Sequence, residues 1–317
     1  MLVAVTGGAG FIGRATVKLL LERGHEVLVV DDFSSSSPEA LKDVEHHLRA
    51  PGRGLRVVRV DVSRRGSLKR AISHAGWGSL DAVVHLAAVA SVDRCRLDPY
   101  RCYQVNVLGS LSVAEDSIDL GADRLVYASS AAVYGEPESL PISEDHPARP
   151  ISLYGYTKLH GEHVLLAVAR ERGVRVSLLR YFNVYGPGMN PEYAGVVSRF
   201  IEAISMGASP VIYGDGLQTR DFVHVEDVAE ANVLAAERGA EGVYNIGTGV
   251  ETSIIELCRL IARLYGRKCD PVYAEARRGD IRRSVADASR AREFLGWIPR
   301  IGLEEGLSRL IQSLKPS

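Results

Sequence analysis

The sequence predicts an α/β fold in which a doubly wound parallel sheet is followed by a smaller, mixed α/β domain. Short apolar runs alternate with longer amphipathic segments through the first 180 residues. The apolar runs are nearly continuous, which is typical of strands buried on both faces. After Arg180 the alternation loosens at a turn-rich break, residues 185–188, and shorter elements follow. Regular alternation of this kind favours a parallel sheet with helices on both sides.

The individual elements follow from the same two patterns. Strands are predicted where the short apolar runs occur: Leu2–Thr6, Glu26–Asp31, Arg56–Val60, Ala82–Leu86, Arg124–Ala128 and Arg175–Leu179. Helices are predicted between them where apolar residues recur with the helical period: Phe11–Arg23, Ser67–Ala75, Pro99–Leu120 and Leu153–Arg172. Shorter helices and strands are predicted for the second domain: Val196–Met206, Val211–Tyr213, Val225–Arg238, Gly242–Ile246, Ser253–Tyr265 and Leu303–Leu314.

The break divides the chain into two predicted domains. One covers residues 1–180 and the other 181–317, and segments such as 214–240 can pack back on the first domain. Ligands of open α/β sheets bind beyond the carboxyl ends of the strands. We therefore expect the functional site in the cleft between the two domains.

The composition is that of an ordinary globular protein and excludes several classes of partner. Of the 317 residues, 46% are hydrophobic and 24% are charged, and the formal net charge is -1. A charge so close to zero gives no overall field that attracts nucleic acid or an anionic membrane, so neither partner is expected. The first residues lack the pattern of a signal peptide, and no run approaches the ~18 apolar residues of a membrane span. We expect a cytoplasmic protein.

The four cysteines, Cys95, Cys102, Cys258 and Cys269, form no CxxC pair and have no histidine cluster at zinc spacing. We therefore expect no metal site, and four reduced or buried thiols. The scarcity of Asn and Gln is typical of proteins from hot environments. A Cys258–Cys269 bridge is the alternative in that case, because intracellular disulfides occur in hyperthermophiles.

A glycine-rich loop lies between the first predicted strand and the first predicted helix. Gly8, Gly10 and Gly13 satisfy the dinucleotide fingerprint GxGxxG, and Gly7, Gly10 and Gly13 fit a TGxxGxxG variant that includes Phe11 and Ile12. Glycines let the backbone approach a pyrophosphate, whose charge is favoured by the helix N-terminus. The loop therefore predicts a Rossmann-type domain that binds a dinucleotide.

Residues at the ends of the next strands complete the predicted dinucleotide site. Asp31 ends the second strand, where a carboxylate binds a ribose 2′-hydroxyl and repels a 2′-phosphate, so the cofactor is expected to be NAD and not NADP. Asp32 is the alternative reader of the ribose. Further contacts are predicted after the third and fourth strands: Asp61 and Val62 near the adenine, and Leu86, Ala87 and Ala88 under the cofactor. We interpret His85 as a core histidine, and the alternative for Asp61 is a turn residue.

A tyrosine and a lysine four residues apart predict an acid/base site. Tyr154 and Lys158 share one helix face, and Ser130 lies 24 residues before Tyr154. A nearby cation lowers the pKa of a phenol, whose ordinary value is near ~10, and makes the phenolate a usable base. With a nicotinamide beside it, such a site can move a proton and a hydride from one carbinol.

These motifs together resemble the extended short-chain dehydrogenase/reductase family, in its nucleotide-sugar epimerase and dehydratase branch. The resemblance covers nearly the whole chain and also includes Asn106, the segment 129–135 and the segment 180–187. It implies that Tyr154 is the catalytic acid/base, that Lys158 holds the nicotinamide ribose and that Ser130 binds the reacting sugar oxygen. It also implies contacts from further residues: Asn106, Tyr181 and Phe182 near the cofactor, and Asn183, Arg220, Arg277 and Asp280 on the nucleotide sugar.

The residues after Ser130 discriminate between reactions of this branch. The dehydratases of the resembled branch carry an acidic pair at these two positions. This sequence has Ala131 and Ala132 there, and alanine cannot transfer a proton. The resemblance then implies interconversion of UDP-glucose and UDP-galactose by oxidation at C4, rotation of the 4-keto sugar and re-reduction. A small residue at Ser284 could admit an N-acetyl group on the sugar. Alternatives are a UDP-glucuronate 4-epimerase or decarboxylase, and a non-catalytic NAD(H)-sensing protein.

The long helices predicted at Pro99–Leu120 and Leu153–Arg172 have apolar faces. In the resembled family, two such helices pair across a dimer axis, although the core of a monomer gives the same pattern. A homodimer is therefore expected from the resemblance.

Overall fold

The computed structural model describes residues 1–42, 44, 54–189, 195–277 and 279–315. The strands, in chain order, are β1 (Leu2–Thr6), β2 (Glu26–Asp31), β3 (Leu55–Arg59), β4 (Ala82–His85), β5 (Arg124–Ser130), β6 (Arg175–Tyr181), β7 (Asn183–Tyr185), β8 (Val211–Tyr213), β9 (Thr219–His224), β10 (Gly242–Ile246), β11 (Glu251–Ser253) and β12 (Val272–Ala274). The helices are α1 (Phe11–Glu22), α2 (Ser67–His74), α3 (Val92–Leu97), α4 (Pro99–Tyr103), α5 (Gly109–Asp119), α6 (Leu153–Arg172), α7 (Val196–Ser205), α8 (Val225–Arg238), α9 (Ile254–Leu264) and α10 (Leu303–Ser313). Short 3₁₀ and π turns lie at Pro38–Leu41, Gln104–Leu108, Ala131–Val133 and Ala291–Leu295.

Seven parallel strands form the central sheet in the order β10-β6-β5-β4-β1-β2-β3. The prediction of a Rossmann-type, doubly wound parallel sheet is confirmed. Alternate residues of each strand point to opposite faces: Val3 and Val5 pack with α1 and α8, whereas Ala4 packs with α2 and α5. The strand order reverses between β1 and β4, and ligands of such sheets bind at that point.

The substrate side of the molecule is built from two small sheets and their helices. One sheet has the order β11-β9-β7, and the other pairs β12 with β8. A separate core from α7, α9 and α10 supports them, with Phe200, Ile212 and Leu257 among its buried residues. These sheets follow directly from β6, so their loops approach the carboxyl ends of the central strands.

The structure corrects two predictions about the elements and adds elements that were not predicted. Gly242–Ile246 was expected in the second domain but forms the edge strand of the central sheet, because it pairs with β6. The helix predicted at Pro99–Leu120 is divided by the π turn at Gln104–Leu108, and α3 at Val92–Leu97 was not predicted. Helix α8, which lies in the segment 214–240, packs on α1 of the first domain, as expected for that segment.

The cysteines differ from the prediction of four reduced thiols. Cys95 and Cys102 form a disulfide, so that prediction is wrong for this pair. The disulfide joins α3 to α4, which follow each other closely in the chain and bring the two residues together. Cys258 and Cys269 are free, and their Sγ atoms lie 2.7 Å apart.

Candidate functional site

The glycine loop closes tightly between β1 and α1. Gly7 has φ 69°, in the left-handed region, and a Cβ there would lie 2.7 Å from the Ala87 nitrogen. Helix α1 starts after Gly10, which has no side chain to cap the helix. The first N–H groups of α1 therefore have no side-chain acceptor from the N-cap position. The loop thus presents backbone donors and a helix N-terminus to the cavity beside it, and both favour an anion.

A cavity of about 560 Å³ runs over the carboxyl ends of β1, β2, β4 and β5. It brings together nearly all the residues predicted to bind the cofactor or act in catalysis: Gly7, Gly10, Phe11, Ile12, Gly13, Asp31, Asp32, Asp61, Val62, Leu86, Ala87, Ala88, Tyr154, Lys158 and Tyr181. The glycine loop, the ribose-reading carboxylates and the Tyr–Lys pair therefore share one wall. These residues fit a dinucleotide, with the pyrophosphate on the loop and the nicotinamide toward Tyr154.

Asn106 does not line this cavity, although it was predicted to contact the cofactor. Its side chain is buried and accepts a hydrogen bond from the Val89 nitrogen at 2.8 Å. It also donates to the Thr157 hydroxyl at 2.9 Å. Asn106 thus braces Val89, which lies in the cavity wall, against the helix that carries Lys158.

Three carboxylates, those of Asp31, Asp32 and Asp61, line the cavity where the adenosine is expected. Asp31 is buried and accepts from the nitrogens of Ala9, at 3.0 Å, and Phe33, at 2.8 Å. Burial raises the pKa of Asp31, and these hydrogen bonds act against that rise. Asp31 therefore fixes the glycine loop to the end of β2 as well as facing the cavity.

Arg101 was missed by the sequence reasoning. Its guanidinium lies 3.2 Å from Asp61 and 3.5 Å from Asp32, and it lines the cavity. Burial raises the pKa of Asp61, but hydrogen bonds from Ser63 and the charge of Arg101 outweigh it and the net pKa is lowered. Asp61 also accepts from the Ser63 nitrogen, as a turn residue does. No sequence signal separates Arg101 from the many other arginines.

Tyr154 lines the opposite end of the cavity, whereas Ser130 follows the cavity-lining Ser129 on β5 but does not line the cavity itself. Ser130 ends β5 and caps the following 3₁₀ turn by accepting from the Ala132 nitrogen at 3.2 Å. Ser152 caps the start of α6, which fixes Tyr154 in the first turn of that helix. Burial raises the pKa of Tyr154, and a hydrogen bond with Ser130 opposes the rise.

Lys158 is only 3% exposed, and its Nζ donates to the Ala128 carbonyl at 2.7 Å. The ammonium lies 5.0 Å from the centre of the Tyr127 ring. Burial lowers the pKa of Lys158 to about 7, while the charge of Glu162 acts in the opposite direction.

The role predicted for Lys158 in lowering the pKa of Tyr154 stays a prediction. The pKa of Tyr154 is raised, because burial is the dominant effect on the phenol and the Lys158 ammonium is turned toward a backbone carbonyl. Bound NAD would supply a positively charged ring, and a positive charge close to Tyr154 would favour the phenolate.

His85 behaves as the core residue that the sequence suggested. It is buried between the Thr6 hydroxyl, at 2.6 Å, and the Ser110 hydroxyl, at 3.0 Å. Burial lowers the pKa of His85 to about 3, with the charge of Lys158 adding to the effect. A neutral imidazole here connects β4 to β1 and α5 and takes no part in proton transfer.

The predicted substrate residues lie on the two small sheets and their loops, outside the cofactor cavity. Arg220, on β9, forms an ion pair with Asp280 and donates to the Ile281 carbonyl at 2.7 Å. Burial lowers the pKa of Arg220, and Asp280 opposes this. Asn183 begins β7, two residues after Tyr181, and pairs with Phe222 across the sheet. Arg220 lies two residues before Phe222, so Arg220 and Asn183 are on adjacent strands.

Arg277 lies 4.0 Å above the ring of Tyr213. Its charge lowers the pKa of Tyr213, through a hydrogen bond first and through its field second. Tyr213 was not selected from the sequence, although an aromatic residue at the end of the short strand β8 was the available signal. Arg278, the next residue in the chain, lies outside the described residues.

In the part of the chain that the structure describes, no group of three or more His, Cys, Asp or Glu residues could hold a metal ion. Among the same residues, no helix is sufficiently long and apolar to cross a membrane.

Comparisons with known proteins agree with this arrangement. The model of a family described as the NAD dependent epimerase/dehydratase family matches residues 3–247. The chain is 39% identical to a UDP-glucose 4-epimerase of Mycolicibacterium smegmatis, with 98% of each sequence covered. It is 37% identical to a putative UDP-glucose 4-epimerase of Methanocaldococcus jannaschii, which it covers to 98% with 99% of its own length.

Solved structures are similar over the same length. A UDP-glucose 4-epimerase of Thermotoga maritima, solved with UDP-glucose, has a TM-score of 0.90 and 39% identity, covering 99% of this chain and 98% of that one. A UDP-N-acetylglucosamine 4-epimerase of Methanobrevibacter ruminantium, solved with UDP-N-acetylmuramic acid, has a TM-score of 0.89 and 34% identity. The coverage in that case is 98% of this chain and 97% of the other.

Proposed function

Because the chain belongs to the NAD-dependent epimerase/dehydratase family, we propose that it is a UDP-sugar 4-epimerase interconverting UDP-glucose and UDP-galactose. One observation carries the proposal: Tyr154 and Lys158 line the same cavity as the glycine loop, and the nearby Ser130 hydroxyl acts to lower the pKa of the Tyr154 phenol. Two alanines follow Ser130, so the acid/base pair needed for elimination of water is absent from that position. The site can oxidise and reduce one carbinol but has no group there to dehydrate it.

The reaction needs a base that gives back the proton it takes. Tyr154 removes the proton from the sugar 4-hydroxyl and Ser130 holds that oxygen by a hydrogen bond. Bound NAD supplies the redox chemistry by accepting a hydride from the sugar and returning it. Lys158 holds the cofactor ribose and keeps a positive charge below the phenolate. Tyr154 then returns the proton to the C4 oxygen of the sugar, whose C4 now has the opposite configuration. The protein therefore ends the cycle unchanged.

Inversion requires that the hexose turn while the nucleotide stays bound. Arg220 and Arg277 lie on separate loops, and guanidinium groups bind phosphate oxygens in pairs. We propose that these residues, with Asn183 and Asp280, hold the UDP part and leave the sugar free to present both faces.

The size of the sugar 2-substituent is the finer question. Ser284 is small and is 6% exposed, and the segment that contains it is held to Ile142 through Val285, whose carbonyl accepts from the Ile142 nitrogen at 2.8 Å. In the family, bulk at this position limits the room beside C2. We propose that N-acetylated UDP-hexoses are also substrates.

A homodimer is proposed as well. Apolar side chains remain exposed on the helices expected to pair: Tyr100 is 80% exposed, Leu108 58% and Leu166 39%. A second copy would cover this surface, as exposed apolar patches commonly mark interfaces. Light scattering on the purified protein tests it, and a monomer at micromolar concentration contradicts it.

The activity is tested with purified protein and UDP-galactose. We expect formation of UDP-glucose without added cofactor, and release of NAD when the protein is denatured. UDP-glucuronate in a parallel assay tests the second candidate, a uronate epimerase or decarboxylase. Absence of turnover with every sugar, together with bound NAD, would favour the non-catalytic sensor and contradict the proposal.

A further inference from the structure

A buried polar cluster lies directly behind the catalytic residues and takes no part in the chemistry described so far. Glu162 is 1% exposed, and it accepts two hydrogen bonds from Arg180: from Nε at 2.9 Å and from Nη2 at 2.7 Å. The Ser129 hydroxyl donates a further, short hydrogen bond to Glu162. Arg180 and Ser129 are themselves 6% and 2% exposed. Carboxylate, guanidinium and hydroxyl thus form one connected cluster, and Arg180 also donates to the Glu144 carbonyl at 3.3 Å.

Each member of this cluster is placed next to a residue of the site. Ser129 precedes Ser130 on β5, and Arg180 precedes Tyr181 on β6. Those strands pair Ser129 with Arg180 and Ser130 with Tyr181. Glu162 lies one helical turn beyond Lys158, on the helix face that also carries Tyr154. The cluster therefore joins the three elements that carry the reacting groups, each at the point where they enter the cavity.

We propose that Glu162 is a positioning residue that fixes the rotation and height of α6 over β5 and β6 through Arg180 and Ser129. The proposal rests on the proposed function, because it requires the roles given to Tyr154, Lys158 and Ser130. A paired guanidinium–carboxylate contact fixes direction as well as distance. A displacement of about 1 Å in a reacting group can cost roughly 100-fold in rate. The paired hydrogen bonds between Arg180 and Glu162 therefore control the alignment of Tyr154 with Ser130.

The carboxylate also acts on the charge of Lys158. Other groups face that ammonium from several elements: the Tyr127 ring and the Ala128 carbonyl from β5, the neutral His85 from β4, and the cavity-lining phenols of Tyr154 and Tyr181. None of these is an anion in the protein at neutral pH, so Glu162 is the negative group among them. Burial lowers the pKa of Lys158, and Glu162 opposes it. Loss of the carboxylate should release the Lys158 proton at a lower pH.

The test starts from Glu162→Gln in the full-length protein with its bound NAD. We expect kcat to fall by about 100-fold while KM for UDP-galactose and the NAD content stay near wild type. The pH at which activity falls on the alkaline side should move to lower values. Asp116→Asn is the matched control, because Asp116 is equally buried and accepts from the Leu68 nitrogen at 3.0 Å, away from the cavity. It should lower the melting temperature without moving the alkaline limb.

A second variant separates positioning from stability. Glu162→Leu with Arg180→Met replaces the pair by apolar groups of similar volume, a change that is often neutral or stabilising in buried sites. We expect this double variant to fold and to remain slow. Wild-type kcat in the folded double variant, or an unchanged kcat and alkaline limb in Glu162→Gln, would overturn the inference alone. A wild-type protein without epimerase activity would overturn the proposed function and this inference with it.

Discussion

The cofactor cavity and the substrate loops hold their charged groups in different ways. Around the cavity, Lys158, Glu162 and Arg180 are all buried and bonded to strand or helix partners. On the substrate loops, Arg282 pairs with Asp215 and Arg283 with Glu251 at exposed or half-exposed positions. The Arg220–Asp280 pair between them is more buried. Exposed pairs contribute little to stability. The proposed catalytic groups thus lie on a buried framework, whereas the surroundings of the proposed nucleotide site are more exposed.

Tyr154→Phe gives the largest expected effect and tests the cavity side of this comparison. Removing the phenol oxygen removes the acid/base, so kcat should fall by about 1000-fold or more, with NAD content unchanged. Tyr156→Phe is the control, because Tyr156 is on the same helix but is 45% exposed. Coupled turnover of UDP-galactose measures both. Substantial activity in Tyr154→Phe would point to a different base.

Arg220→Met tests the substrate side, and its effect should appear in binding. Charge-assisted hydrogen bonds contribute about 1.5–3 kcal/mol each, so KM for the UDP-sugar should rise by roughly 100-fold. The value of kcat should change far less, because the reacting groups are untouched. Arg282→Met is the matched control from the same loop region, with Arg282 paired to Asp215 instead. A loss of kcat at constant KM would break the proposed division of labour.

Asp31→Ala tests the cofactor end of the cavity. The variant should weaken NAD binding by about tenfold and reduce discrimination against NADP, because a carboxylate hydrogen bond and a repulsive charge are both lost. Calorimetry with each dinucleotide measures the change, after removal of bound NAD. Asp32→Ala is the comparison, since Asp32 lies 3.5 Å from Arg101 and is not bonded to the glycine loop in the same way. If the preference is lost in Asp32→Ala and kept in Asp31→Ala, Asp32 reads the ribose.

Ser284→Tyr has the smallest expected effect on the main reaction. A large ring beside C2 should reduce turnover of UDP-N-acetylglucosamine by at least about tenfold while leaving UDP-glucose within a few-fold of wild type. Ser284→Ala keeps the site small and serves as the control. Product analysis with both sugars gives the ratio. An unchanged ratio would show that another residue borders the 2-substituent.

The sequence patterns predicted local structure well where one period dominates. Helix Leu153–Arg172 and strands Leu2–Thr6 and Gly242–Ile246 have the predicted bounds. The sheet that receives Gly242–Ile246 was not predictable from its pattern, because a buried strand has the same run of apolar residues wherever it pairs. Helix Val92–Leu97 was missed since it is only 6 residues long, shorter than two turns, and gives little periodic signal.

Site residues divide in the same way. The glycine loop, Tyr154 and Lys158 have fixed spacings within one segment, so a pattern is enough to find them. Arg101 contacts Asp61 and Tyr213 contacts Arg277, and each partner is far away in sequence. The sequence around Arg101 and around Tyr213 therefore contains no pattern that predicts these contacts. Asn106 is the opposite case. It was recognised from the sequence as a cofactor contact, but it holds the cavity-lining residue Val89 by a hydrogen bond and does not line the cavity itself.

The Cys95–Cys102 disulfide bears on how long the cofactor stays. It ties together two short helices that supply Leu97, Asp98 and Arg101 to the rim of the cavity. A rim that is covalently closed on itself opens less readily than one held by side-chain contacts alone. An enzyme whose nucleotide cofactor is regenerated within each cycle gains nothing from exchanging it. We therefore expect the bound dinucleotide to outlast many turnovers, and to leave sooner once a reductant has opened this link.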